Sequence, residues 1–248
     1  MKSIKPIIHQ DVTSLGLAAA KRVAQKIESV LEEKKSLRLI LATGTSQFSF
    51  LEALQLNTID WSRITVFHLD EYVGLSNQHP ASFRNYLHER ILKHVAPQAI
   101  FYLNADDPSL ETVCETYTQA LKAAPIDIAC IGIGENGHLA FNDPPVAQFD
   151  DPHWVKRVSL DPHCRQQQLD EGWFSTLDEV PKEAVTLTLP AIMACDYISC
   201  VVPELRKAKA VYDALHGPLT TGCPASILRA HPQVDLHLDL ESASLLTP

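Results

Sequence analysis

Short, nearly unbroken apolar runs recur along the chain, and each ends abruptly on glycine, hydroxyl, proline or acidic residues. They fall at residues 37–42, 64–69, 126–132, 184–189, 197–202 and 234–238. Runs this short and this apolar suit strands that are covered on both faces. Between several of them the spacing becomes helical: Leu15, Ala18, Ala19, Val23, Ile27, Val30 and Leu31 share one face of a helix over 12–31. Phe48, Leu51 and Leu54 mark a second helix, and residues 82–95 and 207–215 read as two more. Strands alternating with helices predict an α/β fold, a single doubly wound, mostly parallel, Rossmann-like sheet with helices on both faces. The 248 residues are expected to form one domain. Residues 144–182 break the rhythm, with five prolines and many charges. They predict a lid-like excursion, with an ordered surface excursion as the other reading.

The formal charge of −9 makes the overall field repulsive to nucleic acid and to anionic membrane, so neither is expected as a partner. An anionic small molecule would then need a local cationic pocket. No apolar run approaches a membrane span and no signal core follows Met1, so a cytoplasmic location is expected. The six cysteines form no Cys-x-x-Cys pair and suit reduced, structural thiols.

Four polar clusters sit at strand ends or on a late helix. Thr43-Gly44-Thr45-Ser46 carries a strand into a helix through three hydroxyls and a glycine. It suits either a helix cap or an anion cradle of backbone amides and hydroxyls. In His68-Leu69-Asp70-Glu71-Tyr72, adjacent acids on a strand point to opposite sides, so one can face a ligand as a base while the protein holds its neighbour; capping a turn is the alternative for Asp70. The stretch from Gly132 to Pro144 has three glycines in six residues, which admit a ligand close to the backbone, and then His138 and Asp143. A carboxylate beside an imidazole can orient it for proton relay near neutrality. Arg206-Lys207-Ala208-Lys209 and Arg165 supply positive charge, either as solvated faces or as part of a pocket.

Together, the Thr-Gly-Thr-Ser turn, the Asp70-Glu71-Tyr72-Val73-Gly74-Leu75 segment and Gly137-His138-Leu139-Ala140-Phe141-Asn142 resemble, in order and spacing, the glucosamine-6-phosphate deaminase family over nearly the whole chain. The resemblance implies conversion of glucosamine 6-phosphate and water to fructose 6-phosphate and ammonia, with no redox cofactor or metal. It implies that Asp70 moves a proton between C2 and C1 of the open-chain sugar, and that His138, oriented by Asp143, opens the ring. Thr43, Gly44, Thr45 and Ser46 would hold the phosphate with Lys207, and Arg165 is the nearest counterpart of the family's lid arginine. Glu71, Gly134 and Gly137 would complete the pocket. Asn136 stands where many members have aspartate and Asp143 where they have glutamate, so Asp143 alone is expected to support His138, with an altered pH optimum. The paired serines of allosterically activated members are absent, and activation by an acetylated amino sugar phosphate is not expected. A monomer and a homo-oligomer are both compatible with the sequence.

Three other functions fit parts of the pattern. Galactosamine 6-phosphate would satisfy the same motifs. A 6-phosphogluconolactonase would share the fold, but those relatives follow Gly-His with Ala-Ser-Leu-Phe-Pro and carry Asp-Glu-Arg where this chain has Asp70-Glu71-Tyr72. A non-catalytic sugar-phosphate sensor would keep the pocket and tolerate Asn136.

Overall fold

The computed structural model describes residues 4–246. Seven parallel strands form the central sheet in the order β1 (Ile7–His9), β10 (Val234–Asp239), β9 (Tyr197–Val202), β6 (Ile128–Ile131), β2 (Leu37–Leu41), β3 (Ile64–His68) and β5 (Ala99–Ile100). Alternation along the strands sorts their side chains into two cores. Leu37, Leu39 and Leu41 of β2, with Ile64, Val66, Ile128 and Cys130, pack under α1 (Val12–Glu33), α2 (Phe48–Gln55) and α3 (Phe83–Leu87). Ile40, Phe67, Ala129, Ile131, Ile198 and Cys200 face the other way, onto α4 (Leu110–Lys122), α6 (Leu189–Met193) and α7 (Ala208–His216). The doubly wound α/β fold is therefore present, with helices on both faces.

Local chemistry fixes the element ends. Asp11 caps α1, its carboxylate accepting from Ser14 N at 2.7 Å while Asp11 N donates to Ser14 Oγ, a reciprocal capping box. Ser82 caps α3, which runs on into a π-helical turn at His88–Leu92.

The single-sheet expectation needs one addition. Residues 184–189 do not extend the parallel sheet: β8 (Glu183–Leu187) lies between β4 (Asp70–Tyr72) and β7 (Val155–Ser159) in a separate antiparallel sheet. An apolar run does not reveal which sheet it joins, because both sheets bury it. The strand β7 stitches the first part of the 144–182 excursion to β8, whereas α5 (Pro162–Asp170) and the residues after it lie beside the cleft described below. Tyr72, Phe141, Val158, Leu160, Cys164, Phe174 and Val180 form a third, smaller core there. Among the described residues, no helix is long and apolar enough to cross a membrane.

Candidate active site

After β2 the chain steps outward to β3 and β5, then returns to lay β6 on the other side of β2 and continues to β9 and β10. The reversal between β2 and β6 opens a crevice at the carboxyl ends of the strands, the usual ligand position in such sheets. A cleft there is lined by Thr43 to Ser46, Asp70, Gly132, Gly134, His138, Arg206 and Lys207, with Gln167, Gln168 and Glu171 from the excursion.

One wall is cationic and rich in donors. Beyond β2, Gly44 (φ 97°, ψ 162°) leads into a 3-10 turn at Thr45–Gln47 and then α2. Beyond β9, Glu204 takes nearly the same backbone angles (φ 81°, ψ 143°) and leads through a 3-10 turn at Leu205–Lys207 into α7. A positive φ is easy for glycine and costly for glutamate. The Glu204 amide is held by Asp239 Oδ2 at 3.0 Å. The Tyr86 hydroxyl donates to Gly44 O at 2.7 Å, and buried Gln47 donates to Ser46 Oγ and Val201 O, which ties the two loops to one position. Lys207 is only 3% exposed, and burial, with Arg206 next to it, pulls its ammonium below the usual lysine range. Arg206 donates from Nη2 to Thr45 Oγ1 at 3.0 Å and from Nη1 to Glu135 and Glu171, both at 2.9 Å. Arg206 is not among the phosphate ligands that the resemblance implies, and in sequence an Arg-Lys pair opening a helix suits a solvated face as well as a pocket; the loop pairing brings it to the cleft. Arg165, by contrast, is spent within the excursion. Its guanidinium donates to Leu177 O and Val180 O and does not line the cleft.

The end of β3, next to β2 in the sheet, carries the carboxylate. At the end of β3 the Tyr117 hydroxyl takes the His68 amide and donates to the His68 carbonyl, so a side chain replaces the ladder there. The buried His68 ring accepts from Leu103 N through Nε2, leaving its proton on Nδ1 for Asp70 O at 2.9 Å. Burial, the largest cause, lowers its pKa to about 3, so the ring is a neutral strut beneath the candidate base. Asp70 itself is 6% exposed and lines the cleft, and no hydrogen bond reaches its carboxylate among the described residues. Burial pushes its pKa well above the usual carboxylate value, and the negative Glu71 and Asp143 push in the same direction. Glu71 is no part of the pocket, contrary to the sequence expectation. Its fully buried carboxylate accepts from Ser82 Oγ, from the amides of Tyr72, Phe83 and Arg84, and from Arg84 Nε, so it anchors the start of α3.

His138 lines the cleft from the loop after β6. A Cβ on Gly134 would lie 2.1 Å from His138 Cε1, so only glycine lets the imidazole lie against the backbone. Gly137 has φ 84° and makes the turn, but it does not line the cleft; a Cβ there would strike Cys223 Sγ at 2.6 Å. His138 Nδ1 lies 2.8 Å from Asn136 Oδ1 and 3.1 Å from Asp143 Oδ1, and Asn136 Nδ2 donates to Asp143 Oδ1 at 2.8 Å. Both acceptors want a proton on Nδ1, which leaves Nε2 as the nitrogen available to the cleft. Asp143 therefore does not support the ring alone. Asn136 and Asp143 both stand behind the imidazole and off the cleft wall. Burial raises the Asp143 carboxyl, but His138 and hydrogen bonds from His138, Asn136 and Cys164 outweigh it and hold the pKa below the ordinary value. The loop is fixed from outside: Phe141 N donates to Thr186 Oγ1, and Asn142 Nδ2 to Leu139 O and Leu187 O.

A base and an imidazole nitrogen that have no hydrogen-bonded partner among the described residues thus meet a donor-rich cationic wall in one cleft. That set can move protons on a small anionic molecule. The family model described as glucosamine-6-phosphate isomerases/6-phosphogluconolactonase matches residues 10–237. Glucosamine-6-phosphate deaminase of Lactobacillus delbrueckii subsp. bulgaricus is 32% identical over 243 residues, spanning 98% of this chain and 100% of that protein. The enzyme of the same name from Bacillus thuringiensis is 34% identical over 219 residues, 88% of this chain and 82% of that one. A solved monomeric glucosamine-6-phosphate deaminase superposes with a TM-score of 0.88 at 31% identity, covering 98% of this chain and 100% of its own. A 6-phosphogluconolactonase from Thermotoga maritima shares the fold, with a TM-score of 0.77 at 20% identity over 96% of this chain and 100% of its own.

Proposed function

The chain belongs to the glucosamine-6-phosphate isomerase and 6-phosphogluconolactonase family, and from that premise we propose that it is an enzyme converting a hexosamine 6-phosphate, with water, to a ketose 6-phosphate and ammonia. The observation that carries this reading is the Asp70 carboxylate, buried and without a hydrogen-bonded partner among the described residues, in the same cleft as Lys207 and the Thr43–Ser46 loop.

The reaction asks three things of the cleft. The sugar ring opens when a proton leaves the C1 hydroxyl and another reaches O5, and His138 Nε2 is the group suited to that transfer. Asp70 then removes the C2 proton as O1 takes one from the substrate's ammonium group, giving an enolamine, and returns its proton to C1, which leaves an imine at C2. Water adds to the imine and ammonia departs. A single carboxylate can serve both carbons because they are adjacent and the transfer stays on one face. A pKa well above the ordinary value makes Asp70 a stronger base once it has lost its proton than an exposed carboxylate would be. At the far end, the phosphate would take the amides and hydroxyls of Thr43 to Ser46 and the Lys207 ammonium, and binding energy gained there holds C1 and C2 in register. Gly134 contributes by clearing space for the imidazole, and Asn136 and Asp143 by fixing its tautomer. The segment 162–182 supports a lid role, since it contributes Gln167, Gln168 and Glu171 to the cleft.

Purified protein offered glucosamine 6-phosphate and galactosamine 6-phosphate, with ammonia and ketose phosphate measured together, is expected to release both products in equal amounts from one of the sugars. Asp70→Asn should lose at least ~100-fold in kcat, the lower range for removing a general base. Hydrolysis of a 6-phosphogluconolactone without ammonia release from either amino sugar would overturn the reading.

A further inference from the structure

Carboxylates neutralise part of the cationic wall. Arg206 is held by three carboxylates, Glu135, Glu171 and Glu204, and by Thr45 Oγ1. These partners are not equivalent. The side chains of Glu135 and Glu204 are 40% and 36% exposed and sit outside the cleft. Glu171 is 6% exposed and lines the cleft with Thr43, Gly44, Thr45, Ser46 and Lys207. Its Oε1 also accepts from Gln167 Nε2 at 2.9 Å and its Oε2 from Trp173 Nε1 at 3.3 Å, so the carboxylate is bonded to the end of α5 on one side and to the cleft arginine on the other.

A buried acid in a cleft built for an anion has an evident competitor. Glu135 and Glu204 share the guanidinium from its exposed side, where water screens them, but a phosphate and the buried Glu171 carboxylate would meet inside the cleft with little screening, where one can replace the other with its hydrogen bonds kept. We propose that Arg206 is the second cation of the phosphate site, with Glu171 as its resident counter-ion, a carboxylate that an incoming sugar phosphate displaces from the guanidinium. The proposal rests on the sugar-phosphate reading above and extends it. The cation that Arg165 does not supply comes from the β9 turn, and the excursion contributes an acid there. Binding is then an exchange of anions on Arg206, and it frees the segment carrying Gln167, Glu171 and Trp173 from its cleft tether. Affinity for the phosphate end is lowered by the acid that has to leave, which sets KM upward without touching the groups that move protons.

The test is a double-mutant cycle read by calorimetric binding of inorganic phosphate, which requires no turnover. Glu171→Gln is expected to lower the Kd for phosphate about tenfold, and Arg206→Gln to raise it at least tenfold. In the Arg206→Gln background, adding Glu171→Gln should change it less than twofold. With the sugar substrate, Glu171→Gln should lower KM by a similar factor and leave kcat within about twofold, a split that general loosening of the fold would not give. Native circular dichroism and melting temperatures for all variants separate these effects from misfolding; if Arg206→Gln misfolds, Arg206→Lys takes its place in the cycle with a smaller but same-signed effect. Additive effects, an unchanged Kd in Glu171→Gln, or no phosphate binding by the unmutated protein would overturn the proposal. Should the cycle hold while no amino sugar releases ammonia, the reaction assigned above fails and the phosphate site stands.

Discussion

Asp70 shows how much one side chain's surroundings decide. Its carboxyl has an ordinary value of 3.8 in an unfolded chain and a value well above that in the folded protein, chiefly through burial. Between the two values the native state holds a proton that the unfolded chain has released, so stability falls as pH rises through that window. Asp70→Asn never ionises. It is expected to match the parent protein in stability below the ordinary carboxyl value and to exceed it increasingly as pH rises above that, in urea titrations run across the acid range. The same substitution removes the base, so a variant that is more stable and inactive is the expected signature of a carboxylate placed for chemistry. A variant less stable at neutral pH would mean that Asp70 contributes to the fold. Glu71, one residue on, has the opposite character: five hydrogen bonds and no access to the cleft.

At the scale of elements, the two strand–turn–helix units after β2 and β9 do parallel work, and they differ at the residue that makes the turn. Gly44 takes its positive φ freely, whereas Glu204 carries the same geometry against its own side chain. Strain of this kind costs on the order of 1–3 kcal/mol. Glu204→Gly is therefore expected to stabilise the protein by about 1 kcal/mol, after the extra chain entropy of glycine is subtracted, measured as a raised denaturation midpoint. The Asp239 carboxylate that accepts from the Glu204 amide remains in the variant and should preserve the turn. A lowered midpoint would mean that the Glu204–Arg206 ion pair outweighs the strain.

Over the whole molecule, stability is distributed unevenly. The two large cores are sealed by the seven-stranded sheet between them, and their central strands β2, β6 and β9 are paired on both edges. The third core is small and is built from β4, β7, β8 and the 162–180 segment. Local opening follows this distribution. Amides of Val155–Ser159 and Pro162–Asp170 are expected to exchange with solvent well before those of β2, β6 and β9, with the order read by native-state hydrogen exchange. Uniform exchange across the chain would show that the excursion unfolds only with the rest.

The local patterns were enough to determine that strands and helices alternate, and where most of them lie. Apolar runs and helical spacing mark β2, β3, β6, β9, β10, α1 and α7 because burial and periodicity act over a few residues. The glycines at 44 and 134 and the acids after β3 were also visible, since close approach and charge at a strand end are local properties. Three matters were decided only by the tertiary structure: that β8 pairs with β4 and β7, that Glu71 turns to Arg84 and away from the cleft, and that Arg206 rather than Arg165 reaches Thr45. Each depends on which distant segment lies alongside, and a partner more than ten residues away leaves no trace in the period or charge of the segment that meets it.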